Sequence, residues 1–307
     1  MKFLHLTTLA GVALAVPAEL SSRQTCSSPK LRKSWSKATA AEKTAYINAA
    51  LCLVTKPSKL RVSTHTSLYD DFSYVHAALT RQIHSYAVFL PWHRYFVQVY
   101  ENALRECGYT GTAMYWDWVA DSAAPSRAAV WDPVLGFGGN GVNSGDNGPR
   151  KRVTDGPFKN LRPTYWNSDV QPHWLSRDWV PGDASSGRIE ISGHEYTPAI
   201  MASINSETKY DDFRQRLENG PHAAVHGGVG DPLFFLHHTQ VDRLWWLWQQ
   251  QNPSARTMAY EGTRPLPDGL AGPPATLNDP LLMAGLASDG VVRDYMDVKG
   301  GKLCYTY

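Results

Sequence analysis

Apolar positions recur at helical spacing in five stretches: 36–54, 70–83, 92–106, 206–225 and 236–251. The last, LHHTQVDRLWWLWQQQ, puts Leu236, Val241, Leu244, Trp245 and Trp248 near one face. Between 121 and 200 the period dissolves into Gly, Pro, Asn and Asp, as in GFGGNGVNSGDNGP, and it dissolves again over 252–280. Irregular stretches of that length inside a compact domain are usually functional loops or surface decoration. No internal repeat stands out. The pattern predicts a mainly α fold: one helical domain with long irregular loops and no second domain.

Composition adds a large, rigid interior: 43% of the 307 residues are hydrophobic and 11 are tryptophan. Thirty basic against 28 acidic residues leave a charge of +2, which argues against nucleic-acid or membrane partners and for small molecules. The opening MKFLHLTTLAGVALAVPA has one lysine, a short apolar run and small residues at its end. That is the form of a secretory signal over 1–18, cut after Ala15 or Ala18, and it predicts an extracellular protein. Four cysteines in a secreted chain predict two disulfides, and three pairings are open. Cys52 and Cys107 each end a helical stretch, which suits a bridge between helix ends and leaves Cys26 for Cys304.

The 11 histidines change the picture most. His76, His84 and His93 form one group; His222, His226, His237 and His238 form another. His65, His173 and His194 stand alone and read as surface or satisfied core residues. In PHAAVH the four-residue spacing of His222 and His226 puts both rings on one helical face, a two-ligand spacing, and His238 can bring a third nitrogen. No glutamate follows His222, so the zinc-protease form is absent. Two sets of three neutral imidazoles without carboxylate or thiolate suit copper better than magnesium, calcium or structural zinc. A four-helix bundle is a standard place to hold such a pair of ions. A di-zinc hydrolase is the competing chemistry, but it needs carboxylate ligands and a general base that these stretches lack. FLPWHRYF, residues 89–96, poses a separate question, because it sets Arg94 beside His93 among aromatics, where a cation needs a partner.

FLPWHRYF, with His84 nine positions before His93, and DPLFFLHHTQVDR at 231–243 resemble the two copper-binding signatures of the tyrosinase, or polyphenol oxidase, family. YWDW at 115–118 resembles the aromatic stretch after the first signature. CYTY at the end resembles the motif that closes the family's core domain, with Arg32 as its partner. The resemblance covers about 26–307. It implies two copper ions with O2 as co-substrate: His76, His84 and His93 on the first ion, His222, His226 and His238 on the second. It places His237 just behind the ligands and reads Asp242 with Arg243 as a structural ion pair or cap. Small phenols are the implied substrates, chiefly o-diphenols going to o-quinones, with o-aminophenols beside them.

Three departures from the family pattern bear on activity. Glu218, four before His222, matches a glutamate that holds a water near the coppers together with an asparagine, but the asparagine's position is Ala223. An alanine cannot hold a water, so monophenol hydroxylation is expected to be weak. Ala223 and Gly227 leave a wide mouth, with Phe234 as a further substrate-facing residue. Gln82 stands where some members cross-link a cysteine to the ligand, so His84 is expected on a more mobile loop. The chain stops at the closing motif, which reads as a short form without a built-in lid. The alternatives are substantial monophenol hydroxylation, or a non-catalytic oxygen-binding protein.

Overall fold

In the computed structural model the described residues are 26–63, 66–146, 151–179, 191, 193–226, 232–300 and 302–307. The expected leader over 1–18 and the substrate-facing Gly227 lie outside them. The chain is mostly helical. Helix α1 (Ala40–Thr55) and helix α2 (Leu68–Ile83) each begin with a reciprocal cap. Thr39 and Ser67 accept from the backbone three residues on, while Glu42 and Asp70 reach back to the cap's own N–H. Helix α3 (Phe89–Glu106) starts three residues before the predicted 92, with Pro91 in its first turn, where a missing N–H costs nothing.

The predicted helix over 206–225 divides. Helix α4 (Pro198–Asn205) is separate, and α5 (Tyr210–Leu217) runs into a wide π turn at Glu218–His222 and then α6 (Ala223–His226). Pro221 lies inside that turn, has no N–H to donate, and its ring would crowd the carbonyl four residues back. Helix α7 (Phe234–Gln250) follows, then the short α8 (Pro253–Arg256). No helix among the described residues is long and apolar enough to cross a membrane.

Short strands form four two-stranded pairs. The first strand, β1 (Lys30–Leu31), runs parallel to β8 (Tyr305–Thr306) and brings the two ends of the described chain together. Between them lie the hairpins β2 (Tyr165–Trp166) with β3 (Asp169–Val170), β4 (Thr263–Pro265) with β5 (Ala271–Pro274), and β6 (Pro280–Leu281) with β7 (Gly290–Val291). Both disulfides pair as the helix ends suggested, Cys52 with Cys107 and Cys26 with Cys304. Each contributes about 2–4 kcal/mol, chiefly by restricting the unfolded chain.

Helix α3 packs along α7 and also meets α1 and α2. Tyr100 and Phe235 stack at 3.5 Å across the α3–α7 seam. The same seam carries a buried charge cluster. The Arg94 Nε donates to Asp242 Oδ1 at 2.5 Å, and its Nη1 donates to the carbonyls of Tyr295 and Met296. Its guanidinium lies 3.6 Å from the Trp245 ring. Arg32 reaches Asp242 Oδ2 at 3.1 Å and Glu101 Oε2 at 2.8 Å, and Tyr305 and Tyr307 also donate to Asp242. Two cations thus face two carboxylates, and the cations hold the Asp242 carboxyl below its ordinary range against the opposing effect of burial. This answers the question posed by FLPWHRYF and corrects one expectation. Asp242 does not pair with its neighbour: Arg243 points elsewhere, to Asp117 at 3.7 Å and the Tyr115 ring. Adjacent helical residues diverge by about 100°, so one faced the seam and the other solvent.

Candidate metal centre

The Arg94–Asp242 pair sets the register of two histidines. His93 precedes Arg94 on α3 and His238 lies one turn before Asp242 on α7, and their rings stack 4.2 Å apart at 7°. His76 comes from the middle of α2, its ring 5.5 Å from His93. His222 ends the π turn and His226 ends α6, with rings 5.2 Å apart and 5.2 and 5.6 Å from His238. The widened turn thus delivers both rings of the HxxxH pair to the bundle.

The donor atoms of His222, His226 and His238 lie within 4.8 Å of one another, and so do those of His76, His93 and His238. His84 falls just outside the second group, its ring 5.0 Å from His76 and 5.2 Å from His93. All six predicted ligands therefore surround one space, and His238 borders both halves of it.

Hydrogen bonds decide which nitrogen faces that space. The Nδ1 of His93, His222 and His84 lies 2.7, 3.0 and 3.0 Å from the carbonyls of Phe89, Glu218 and Thr80, each four residues back. A carbonyl only accepts, so Nδ1 carries the proton and Nε2 keeps its lone pair. The buried Nε2 atoms of His76, His93, His222, His226 and His238 find no partner among the described residues. Orphaned buried nitrogens at this density need an explanation. Desolvation pushes the pKa of every one of these rings down, His226 to about 4, so they are neutral at pH 7. Neutral, converging imidazole lone pairs fit two copper ions. His237 is fully buried behind the His222, His226 and His238 group, 5.3 Å from the His222 ring, and burial lowers its pKa as well.

The corner that carries His84 is not loose. Ser85 takes a left-handed φ of 67°, unusual for a side chain, and its N–H donates to Glu218 Oε1 at 2.5 Å. Tyr210 donates to the Ala87 carbonyl, the Ala87 N–H to Thr263, Tyr86 to Gly269 and Gln82 to Pro267. These bonds from distant segments hold the corner in place. The other oxygen of Glu218 accepts from Arg214 at 2.7 Å, and burial raises its pKa despite both bonds.

A cavity of about 300 Å3 opens onto the histidines, with His76, His226 and Phe234 at its inner end. Phe234 sits 4.8 Å from the His76 ring and 4.3 Å from His238. Ala223, expected to face substrate, is exposed beside His222 and does not line this cavity, and neither does Glu218. The sequence reading set His173 apart and passed over Tyr165 and Trp166. All three line the outer end, and only the exposed aromatic in a polar hairpin hinted at it.

Comparisons with known proteins agree with this geometry. The profile described as the common central domain of tyrosinase matches residues 66–251. The Aspergillus flavus protein named tyrosinase ustQ is 37% identical over 320 residues, spanning 100% of this chain and 85% of its own. The tyrosinase-like protein phomQ1 of Diaporthe leptostromiformis is 37% identical over 311 residues, 92% of this chain and 79% of its own. Among solved structures, a polyphenol oxidase variant from Thermothelomyces thermophila aligns with a TM-score of 0.71 at 27% identity, over 91% of this chain and 88% of that one.

Proposed function

The chain belongs to the tyrosinase family of copper oxidoreductases, and on that premise we propose that it oxidises o-diphenols to o-quinones with O2, in preference to hydroxylating monophenols. Each diol loses two electrons and two protons, and two diols reduce one O2 to two waters. His76, His84 and His93 would hold one copper ion and His222, His226 and His238 the other. When bound, the copper pair supplies the redox link between diol and O2. The chain keeps the imidazoles neutral, fixes the Nδ1 protons of His84, His93 and His222 on backbone carbonyls, and lines the approach with Phe234. An o-aminophenol offers the same 1,2 arrangement and falls under the same reading. Two disulfides support export to an oxidising compartment.

One observation carries the diphenol preference: among the described residues no carboxylate lines the cavity or stands at its inner end to serve as a phenol's base. Glu218 is engaged by Arg214 and Ser85, and Ala223 offers no polar side-chain atom. A monophenol must lose its proton to a nearby base before reaction. A catechol is more acidic and presents two oxygens, so it depends less on that base. Oxygen uptake by copper-loaded protein on matched phenol and catechol pairs tests this. Catechol rates are expected to exceed phenol rates by more than about tenfold, or about 1.4 kcal/mol in barrier. Ala223→Asn, which adds an amide beside His222, is expected to narrow the gap. Equal wild-type rates on phenol and catechol overturn the preference.

A further inference from the structure

The cavity does not end at the histidines. From His76 and His226 it runs outward along α2 to Tyr165, Trp166 and His173. At about 300 Å3 it sits at the lower bound for sites that hold ligands larger than one ring. Among the described residues its wall carries no lysine, arginine, aspartate or glutamate. The charged side chains Arg81 and Asp268 line an adjoining mouth.

Trp166 stands at the outer end with 41% of its surface exposed, edge-on to His173 at 5.3 Å. The hairpin that presents it is anchored. The Thr164 N–H donates to Asp70 Oδ1 at 2.8 Å, and Tyr165 packs on Tyr74 of α2 at 5.1 Å. Asn167 adopts the φ of 55° that a tight turn requires. A large apolar ring held on a fixed hairpin at the rim of an uncharged cavity has the form of a binding surface rather than of core packing.

We propose that the β2–β3 hairpin forms an outer substrate subsite in which Trp166 stacks on an uncharged aromatic or aliphatic substituent of a 4-substituted catechol, while the diol reaches the histidines. This rests on the diphenol reading given above and extends it to a substrate class. Simple catechol fills only the inner end, so Trp166 discriminates among catechols and does not touch the chemistry.

Copper-loaded wild type, Trp166→Ala and Trp166→Phe are to be compared on catechol and 4-benzylcatechol. Trp166→Ala is expected to raise KM for 4-benzylcatechol about tenfold, from lost stacking and apolar contact. Its kcat, and both constants for catechol, stay unchanged, and Trp166→Phe recovers most of the loss. Calorimetry with 4-benzylresorcinol and resorcinol, 1,3-diols that cannot form an o-quinone, reads the subsite without turnover. The benzyl compound is expected to bind wild type more tightly, and Trp166→Ala to erase the difference. Should the wild type oxidise no diphenol, the oxidase reading fails while calorimetry still judges the subsite. Equal shifts for the plain and benzyl compounds, or no shift for either, overturn the proposal.

Discussion

The α3–α7 seam and the corner after α2 both present histidines to one space, yet they are built in opposite ways. His93 and His238 sit inside helices of 18 and 17 residues, where the backbone ladder sets each ring. One buried cluster around Asp242 locks the two helices together. His84 caps the end of α2, and a residue with left-handed φ follows it. Its place depends on bonds from Glu218, Tyr210, Thr263, Gly269 and Pro267. A ligand on a locked helix pair fails with the fold, whereas a ligand on a laced corner fails by degrees.

The largest effect of a single substitution is expected at the seam. Asp242→Ala leaves two buried guanidiniums short of a partner and should cost about 3–5 kcal/mol. Denaturant unfolding measures it, and copper binding should be lost at both positions. A loss near zero would mean the cluster does not hold the seam.

Acidification of the copper-free protein acts on several buried rings at once. The buried imidazoles have folded pKa values below the ordinary 6.5, so under that pH the unfolded chain takes up protons that the folded chain refuses. Stability is therefore full above about pH 7 and falls as pH drops through 6.5, by at most about 1.4 kcal/mol per unit for each histidine. For His226 the fall levels off near its folded value of about 4. Unfolding midpoints at pH 7.5 and 5.5 check this, and a flat profile contradicts neutral, buried rings.

The smallest effect belongs to the corner. Glu218→Ala removes the acceptor of the Ser85 N–H but leaves Arg214 its contact with Asp211, at a cost of about 1–3 kcal/mol. The fold should persist while bound copper drops from two toward one per chain, as read by metal analysis and circular dichroism. Retention of both ions would show that other bonds suffice to hold His84.

How much of this was legible follows from how far apart the partners are in the chain. Histidine spacing and the helix-end cysteines are local or periodic features, and helical geometry converts them directly into direction. The family signatures supplied the ligand set where spacing alone stayed weak. The π turn was missed because a 3.6-residue period reads straight through it, although Pro221 marked the place.

The sequence by itself determined a helical chain with two groups of imidazoles at ligand spacing, two cysteine pairs, and a buried arginine in need of a partner. Only the tertiary structure decided that this partner is Asp242, 148 residues away, and that Arg32 joins it across 210. It also decided that Glu218 engages Ser85 across 133 residues, and that Trp166 stands at the mouth. The reason is physical. Backbone hydrogen bonds repeat over three or four residues and leave a period in the sequence, while the partner of a buried charge depends on how whole helices pack, which no local period records.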